Sequence, residues 1–207
     1  MMFINRAAIR RASFTIAAGA SALVLLTACG GTGDSMAGHN MGGSAPAATT
    51  ASAQPAASFN DADVTFAQMM IPHHQQAVEM AALAETRASD AEIKDLAAKI
   101  KAAQDPEIET MQGWLTAWGK PAPSGGMGHD MAGIMSEDDM NKLEAAKGAE
   151  FDKQFAQMMT AHHNGAIEMA RTEQAQGADP EAKALAKTIE TAQQAEVTQM
   201  QKILDRL

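Results

Sequence analysis

The sequence predicts an all-α protein, an antiparallel four-helix bundle made from two copies of one helical hairpin. Three observations predict it. The block FAQMMIPHHQQAVEMA at residues 66–81 recurs as FAQMMTAHHNGAIEMA at residues 155–170, an offset of 89. The register then runs on without a gap, pairing Leu96 with Leu185, Ile100 with Ile189, Gln104 with Gln193, Glu107 with Glu196, Met111 with Met200 and Leu115 with Leu204. Apolar residues within each copy recur at three- and four-residue steps, the period of a helix face. Composition agrees: Tyr is absent, Phe and Trp number 6 and 2, and Met reaches 16. Small and flexible side chains of this kind suit helix packing, whereas a sheet core favours β-branched and aromatic residues. One hairpin cannot bury the stripes of both its helices, but two packed together can.

Residues 1–28 read as a secretion signal. Arg6, Arg10 and Arg11 form a positive start, and an apolar run of about 13 residues follows, too short for an ordinary membrane span. It ends in Leu26-Thr27-Ala28-Cys29, which resembles the lipobox of bacterial lipoproteins, so Cys29 is the expected lipidation site and membrane anchor. Cys29 is the only cysteine, which excludes an intramolecular disulfide. Residues 29–59 are rich in Gly, Ala, Ser, Thr and Pro and read as a flexible tether. The bundle is expected over residues 60–207, with repeat one at 60–118, a loop at 119–135 and repeat two at 136–207.

Asp61 or Asp63 can cap a first helix ending near Arg87, and Ser89 or Asp90 a second ending near Trp118. At about 100° per residue, Phe66, Met70, His73, Ala77, Ala81 and Ala84 share one face. The second helix repeats Ile93, Leu96, Ile100, Ala103, Glu107, Met111 and Leu115, with Gln104 beside the stripe; Pro106 is a potential kink. Residues 119–135 break the pattern. Ser136 then opens a short helix with an acidic first turn, which Gly148 is expected to end. Helices near 149–175 and 181–206 complete the second repeat, with Asp179-Pro180 marking the turn between them. The long connection leaves the docking of the hairpins open, including hairpin exchange into a homo-oligomer.

Thioether sulfur and imidazole nitrogen are soft to borderline donors that suit Cu(I), and Ag⁺ by the same softness. Met36, His39 and Met41 in the tether, and Met127, His129 and Met131 in the loop, place three such donors within a few residues. In the helices Met69, Met70, His73, His74 and Met80 match Met158, Met159, His162, His163 and Met169, with Glu107 and Met111 matching Glu196 and Met200. Helical Met is usually core filler. Paired histidines on a nearly apolar face need partners, and Glu107, Glu196, Gln104 and Gln193 can supply them, so a purely structural hydrogen-bond network competes with metal ligation. Glu79 and Glu168 fall opposite the apolar stripe, where solvent can hold them.

Other classes find little support. A net charge of −9 leaves no basic footprint for nucleic acid. No Glu stands three residues before His73, His74, His162 or His163, as di-iron and di-manganese bundles require. His-Glu-x-x-His and Gly-rich phosphate turns are also absent.

The block MIPHHQQAVEMA, followed by Gln-x-x-Glu-x-x-x-Met and Trp-Leu, resembles the domain-of-unknown-function family numbered 305. The resemblance covers residues 60–207. It implies a ferritin-like helical bundle and, from some family members, periplasmic or surface binding of copper and silver. It carries to His73, His74, Glu79, Met80, Gln104, Glu107 and Met111, and to His162, His163, Glu168, Met169, Gln193, Glu196 and Met200. The second copy departs at Ile203, where the first has Trp114, and at Thr160-Ala161 in place of Ile71-Pro72. The expectation is a membrane-anchored, extracytoplasmic, non-enzymatic buffer of Cu(I) and Ag⁺. Its rivals are a metal-dependent oxidase-type bundle and a structural envelope protein that holds no metal.

Overall fold

In the computed structural model, residues 59–123 and 131–207 are described. The expected signal and tether, with Cys29, Met36, His39 and Met41, lie outside them, as do Met127 and His129. Five helices form: α1 (Asp61–Arg87), α2 (Ala91–Ala117), α3 (Glu137–Ala145), α4 (Ala149–Gln176) and α5 (Pro180–Leu204). Among the described residues there is no strand, and no helix is long and apolar enough to cross a membrane. Helices α1 and α2 pair as one hairpin and α4 and α5 as the other. The hairpins meet chiefly through α1 and α4, with α2 and α5 in lighter contact.

Local chemistry explains most boundaries. Asp90 and Asp179 cap α2 and α5 by accepting the amides of Glu92 and Ile93, and of Glu181 and Ala182. Pro180 sits in the first turn of α5, where its missing N–H is harmless. Pro106 does not interrupt α2, which runs through it. The cap of α1 is Asn60, one residue earlier than expected; Asp63 closes the capping box through the Asn60 amide at 2.6 Å. Helix α3 stops at Ala145, ahead of Gly148. That glycine instead caps α4 with φ 62°, a left-handed conformation that suits a residue without Cβ, and its N–H donates to the Arg87 carbonyl.

Asp63 has a second task that periodicity does not reveal. It is wholly buried and accepts the amides of Ala178 and Asp179, at 3.1 and 2.9 Å, in the turn of the other hairpin. Its repeat partner Asp152 accepts those of Ser89 and Asp90, at 3.1 and 3.0 Å. Each hairpin therefore caps the other's turn, which sets α1 and α4 antiparallel about a pseudo-two-fold axis.

The core divides in two. One apolar half gathers Ala77, Met80, Ile93, Ile100, Phe151, Phe155, Met159 and Met200; the other gathers Phe66, Met70, Met111, Leu115, Ala166 and Ile189. Ala103, expected in the α2 stripe, is exposed, and Gln104 is buried in its place. In all four long helices the sequence between the two halves carries the polar residues.

Candidate metal centre

That intervening layer holds His73 and His74 from α1, His162 and His163 from α4, Gln104 and Glu107 from α2, and Gln193 and Glu196 from α5. All four histidines are fully buried. Three- and four-residue spacing places Met70 and Met159 one turn before His73 and His162, and Met111 and Met200 one turn after Glu107 and Glu196. These four thioethers are buried too, two in each apolar half.

The histidines divide by partner. The Nε2–H of His74 donates to Glu107 at 2.8 Å, and that of His163 to Glu196 at 2.7 Å. His73 and His162 instead face each other across the pseudo-two-fold axis, with ring centroids 3.8 Å apart. His73 Nε2 meets the Ala132 carbonyl at 3.2 Å. A carbonyl only accepts, so Nε2 carries the proton and Nδ1 presents a bare lone pair. The same logic bares Nδ1 of His74 and His163, and none of these three atoms has a partner among the described residues. Neither ring nitrogen of His162 has one. The Oε1 atoms of Gln104 and Gln193 are likewise buried and unpartnered. Buried polar atoms are normally satisfied, so this concentration marks a site rather than ordinary packing.

Burial pushes the His73 ring down to about 3, and the neighbouring His74 adds to the shift. His162 is held well below the ordinary imidazole range, first by burial and then by His73. Both rings are therefore neutral near pH 7, the protonation state in which imidazole ligates a metal.

The loop after repeat one closes one side of this layer. Met135 is clamped at two points by Gln76, whose Nε2 donates to its carbonyl at 3.0 Å and whose Oε1 accepts its N–H at 2.8 Å. Ala132 lies against Gly165, where a Cβ would run into its carbonyl oxygen. Gly133, at φ 83°, also lies close to the backbone of Ala161 and His162, where a Cβ would sit 2.7 and 2.9 Å from their carbonyl oxygens. Gln76 and Gly165 are equivalent positions in the two repeats, so the pseudo-symmetry breaks where the loop docks. A pocket of about 520 Å³ opens beside this seat, with Met69, Met131, Met169 and Ala132 in its wall. Met131 is itself buried, Met69, Met158 and Met169 are half-buried, and Glu79 and Glu168 are exposed.

Sequence reasoning brought forward every member of the polar layer. It missed the close, tilted contact of His73 with His162, and the roles of Ala132, Gly133 and Gly165. The one visible signal for the last was the Gln76/Gly165 mismatch, one of several differences between the two copies of the block. Among the described residues no three His, Cys, Asp or Glu side chains gather as a ligand cluster. A third protein ligand would have to come from outside those residue types, and Met70, Met111, Met159 and Met200 are buried one turn away along the helices.

A two-repeat helical bundle with a buried His–Met layer defines the class. The chain belongs to the family described as domain of unknown function (DUF305), whose profile matches residues 63–204. Solved relatives include a DUF305 protein from Streptomyces coelicolor described as secreted, 33% identical over 70% of this chain and 93% of that one, with TM-score 0.66. A DUF305 fragment from Deinococcus radiodurans is 30% identical over 72% and 98%, also with TM-score 0.66. CopM in its Cu(I)-bound form is 33% identical over 70% and 96%, with TM-score 0.60, and CopM is also known in Cu(II)- and Ag-bound forms. No curated protein matches the sequence significantly.

Proposed function

We propose that this protein binds and buffers soft metal ions, Cu(I) and Ag⁺, through its His–Met layer, and does so without turnover. The observation that carries the proposal is the set of buried, unpartnered imidazole nitrogens, flanked along the helices by the buried Met70, Met111, Met159 and Met200, with the His73 and His162 rings held neutral by burial. Thioether with neutral imidazole favours Cu(I) over harder ions. His73 and His162, with rings 3.8 Å apart and unpartnered nitrogens, would be the residues to hold an ion between the hairpins. The Glu107 and Glu196 hydrogen bonds fix the tautomers of His74 and His163 and leave their Nδ1 atoms buried with a free lone pair, as outer partners of metal-site histidines do. CopM, similar in fold and sequence, is known with copper and silver bound, which supports the same cargo here. The apo bundle also lacks the Glu-x-x-His pattern of oxygen-activating sites.

The reading places the protein outside the cytoplasm, anchored through Cys29, as the signal-like N-terminus and a relative described as secreted support. Anaerobic Cu(I) titration against a competing chelator, with metal analysis, tests the binding. Wild type is expected to hold metal tightly and stoichiometrically, and a His73→Leu/His162→Leu variant to lose the tight fraction. Metal-free wild type, or oxygen uptake coupled to Cu(I) turnover, would reject the reading. Cys29→Ser is expected to release the protein from membranes; a wild type found wholly soluble would reject the anchor.

A further inference from the structure

The two crossed turn caps are not equivalent. Around Asp152, the hydroxyl of Ser89 donates to the carboxylate in addition to the amides of Ser89 and Asp90. At the other end the residue equivalent to Ser89 is Ala178, which has no hydroxyl. There the buried Asp63 is approached by Glu173, whose repeat equivalent is Ala84. Glu173 is only 1% exposed, and neither of its oxygens meets an N–H or hydroxyl donor among the described residues. A Cβ built on Gly177 would collide with Glu173 Oε1 and lie 2.8 Å from Asp63 Oδ1, so both carboxyl groups converge on one point. Asp63 already accepts from Asn60, Ala178 and Asp179. An ionised Asp63 has no proton to give, so any hydrogen bond between the two acids must be donated by Glu173.

We propose that Glu173 stays protonated in the folded protein and donates to Asp63, replacing the Ser89 hydroxyl of the other end and making this junction of the hairpins a proton-dependent latch. Geometry and charge agree. Burial, and then the neighbouring Asp63, push the Glu173 carboxyl up to about 8. The groups facing it are Asp63 on α1, Asp179 in the turn and Lys183 on α5; Asp61 and Glu168 line the same pocket. Lys183 is the opposing influence, yet its ammonium donates to the Gly177 carbonyl at 3.2 Å. Loss of the proton leaves two buried carboxylates side by side, which repel. The turn at Ala178 and Asp179 then loosens, beside the pocket whose wall includes Glu173, Met131 and Ala132.

The sign follows from linkage. An acid whose folded value lies above its unfolded value stabilises fully below the unfolded value, and that contribution is lost as pH rises through the folded value. For Glu173 the window runs from 4.5 to about 8. Over it Glu173's own contribution to the folding constant is expected to fall roughly tenfold per pH unit, and it stands alone above about pH 6.5, where the buried histidines no longer oppose it. Three measurements on the full chain test this. Carbon-13 NMR of side-chain carboxyls should show one glutamate titrating near pH 8 that disappears in Glu173→Gln. Denaturant unfolding should show stability falling between about pH 6.5 and 8 in wild type, above the range in which the buried histidines contribute, and not in Glu173→Gln. Amide exchange at Ala178 and Asp179 should accelerate across that window, while Ser89 and Asp90, held by a hydroxyl, stay constant. Should Glu173→Gln fail to fold, Glu173→Ala with Ala178→Ser copies the other end and is expected to fold without the pH loss. A Glu173 carboxyl titrating in the ordinary range, or a wild-type pH slope retained in either variant, overturns the proposal.

Discussion

Replacing His162 by Leu separates ligand from filler more sharply than any other single change. His162 is fully buried and has two ring nitrogens without a partner. A buried unmade hydrogen bond costs about 1–3 kcal/mol. Leu fills a similar volume, so the cavity penalty of an alanine is avoided. The apo variant should therefore match wild type or gain about 1–2 kcal/mol. For a domain of this size that is a rise of roughly 3–6 °C in Tm. Metal stabilisation should move the other way. An ion at a hundred times its Kd adds about 2.7 kcal/mol to the native state, roughly 8 °C, and the variant should lose most of it. Calorimetric melts with a chelator, and with Cu(I) under reducing conditions, read both numbers. An apo variant that melts several degrees below wild type, yet keeps the full metal-induced shift, would show His162 to be structural and refute the reasoning.

The neighbouring position should behave oppositely. His163→Leu removes the 2.7 Å bond to Glu196, and a bond to a charged group contributes about 1.5–3 kcal/mol, so apo stability should fall by that order in denaturant unfolding. Met70→Leu with Met159→Leu keeps volume while deleting sulfur; stability should change by less than about 1.5 kcal/mol per site, while chelator competition shows weakened Cu(I) binding. Gly165→Ala gains up to about 1 kcal/mol of helix propensity but pushes Ala132 off its seat, an overpacking cost of about 1–3 kcal/mol. A small net loss of stability is expected, together with a shift in the His73 ring signals by NMR. Acid should destabilise the fold through His73. A base whose folded value is depressed stabilises fully above its unfolded value of 6.5, and that contribution drains as pH falls toward about 3. A pH series of unfolding midpoints, compared with His73→Leu, should show this loss in wild type and a flatter curve in the variant.

Much of the fold is written in local terms that a reader of the chain can recover. The 89-residue register, the apolar period, the cap at Asp90 and the Asp179-Pro180 turn place the long helices to within a residue or two, because each depends on near neighbours in the chain. The members of the polar layer are legible for the same reason: His73, Gln104, Glu107 and their repeat partners interrupt an apolar stripe at matching points. Which of them meet was not legible. His73 reaches His162, and His74 reaches Glu107, only after the hairpins and helices have docked. Four buried histidines on the same faces allow several pairings.

Tertiary structure alone decided three things. It turned Asp63 and Asp152 from local caps into clasps on the opposite hairpin, since only antiparallel docking of α1 and α4 brings the turn amides within reach. It made Gly165 and Gln76 a seat and a clamp for the loop, closing one side of the layer and giving His73 the Ala132 carbonyl. And it stripped the imidazoles of water. A side chain's capacity to hydrogen-bond or ligate belongs to its residue type and can be read from sequence. Whether that capacity is left unmet depends on which other groups, or how much solvent, folding brings to the same place.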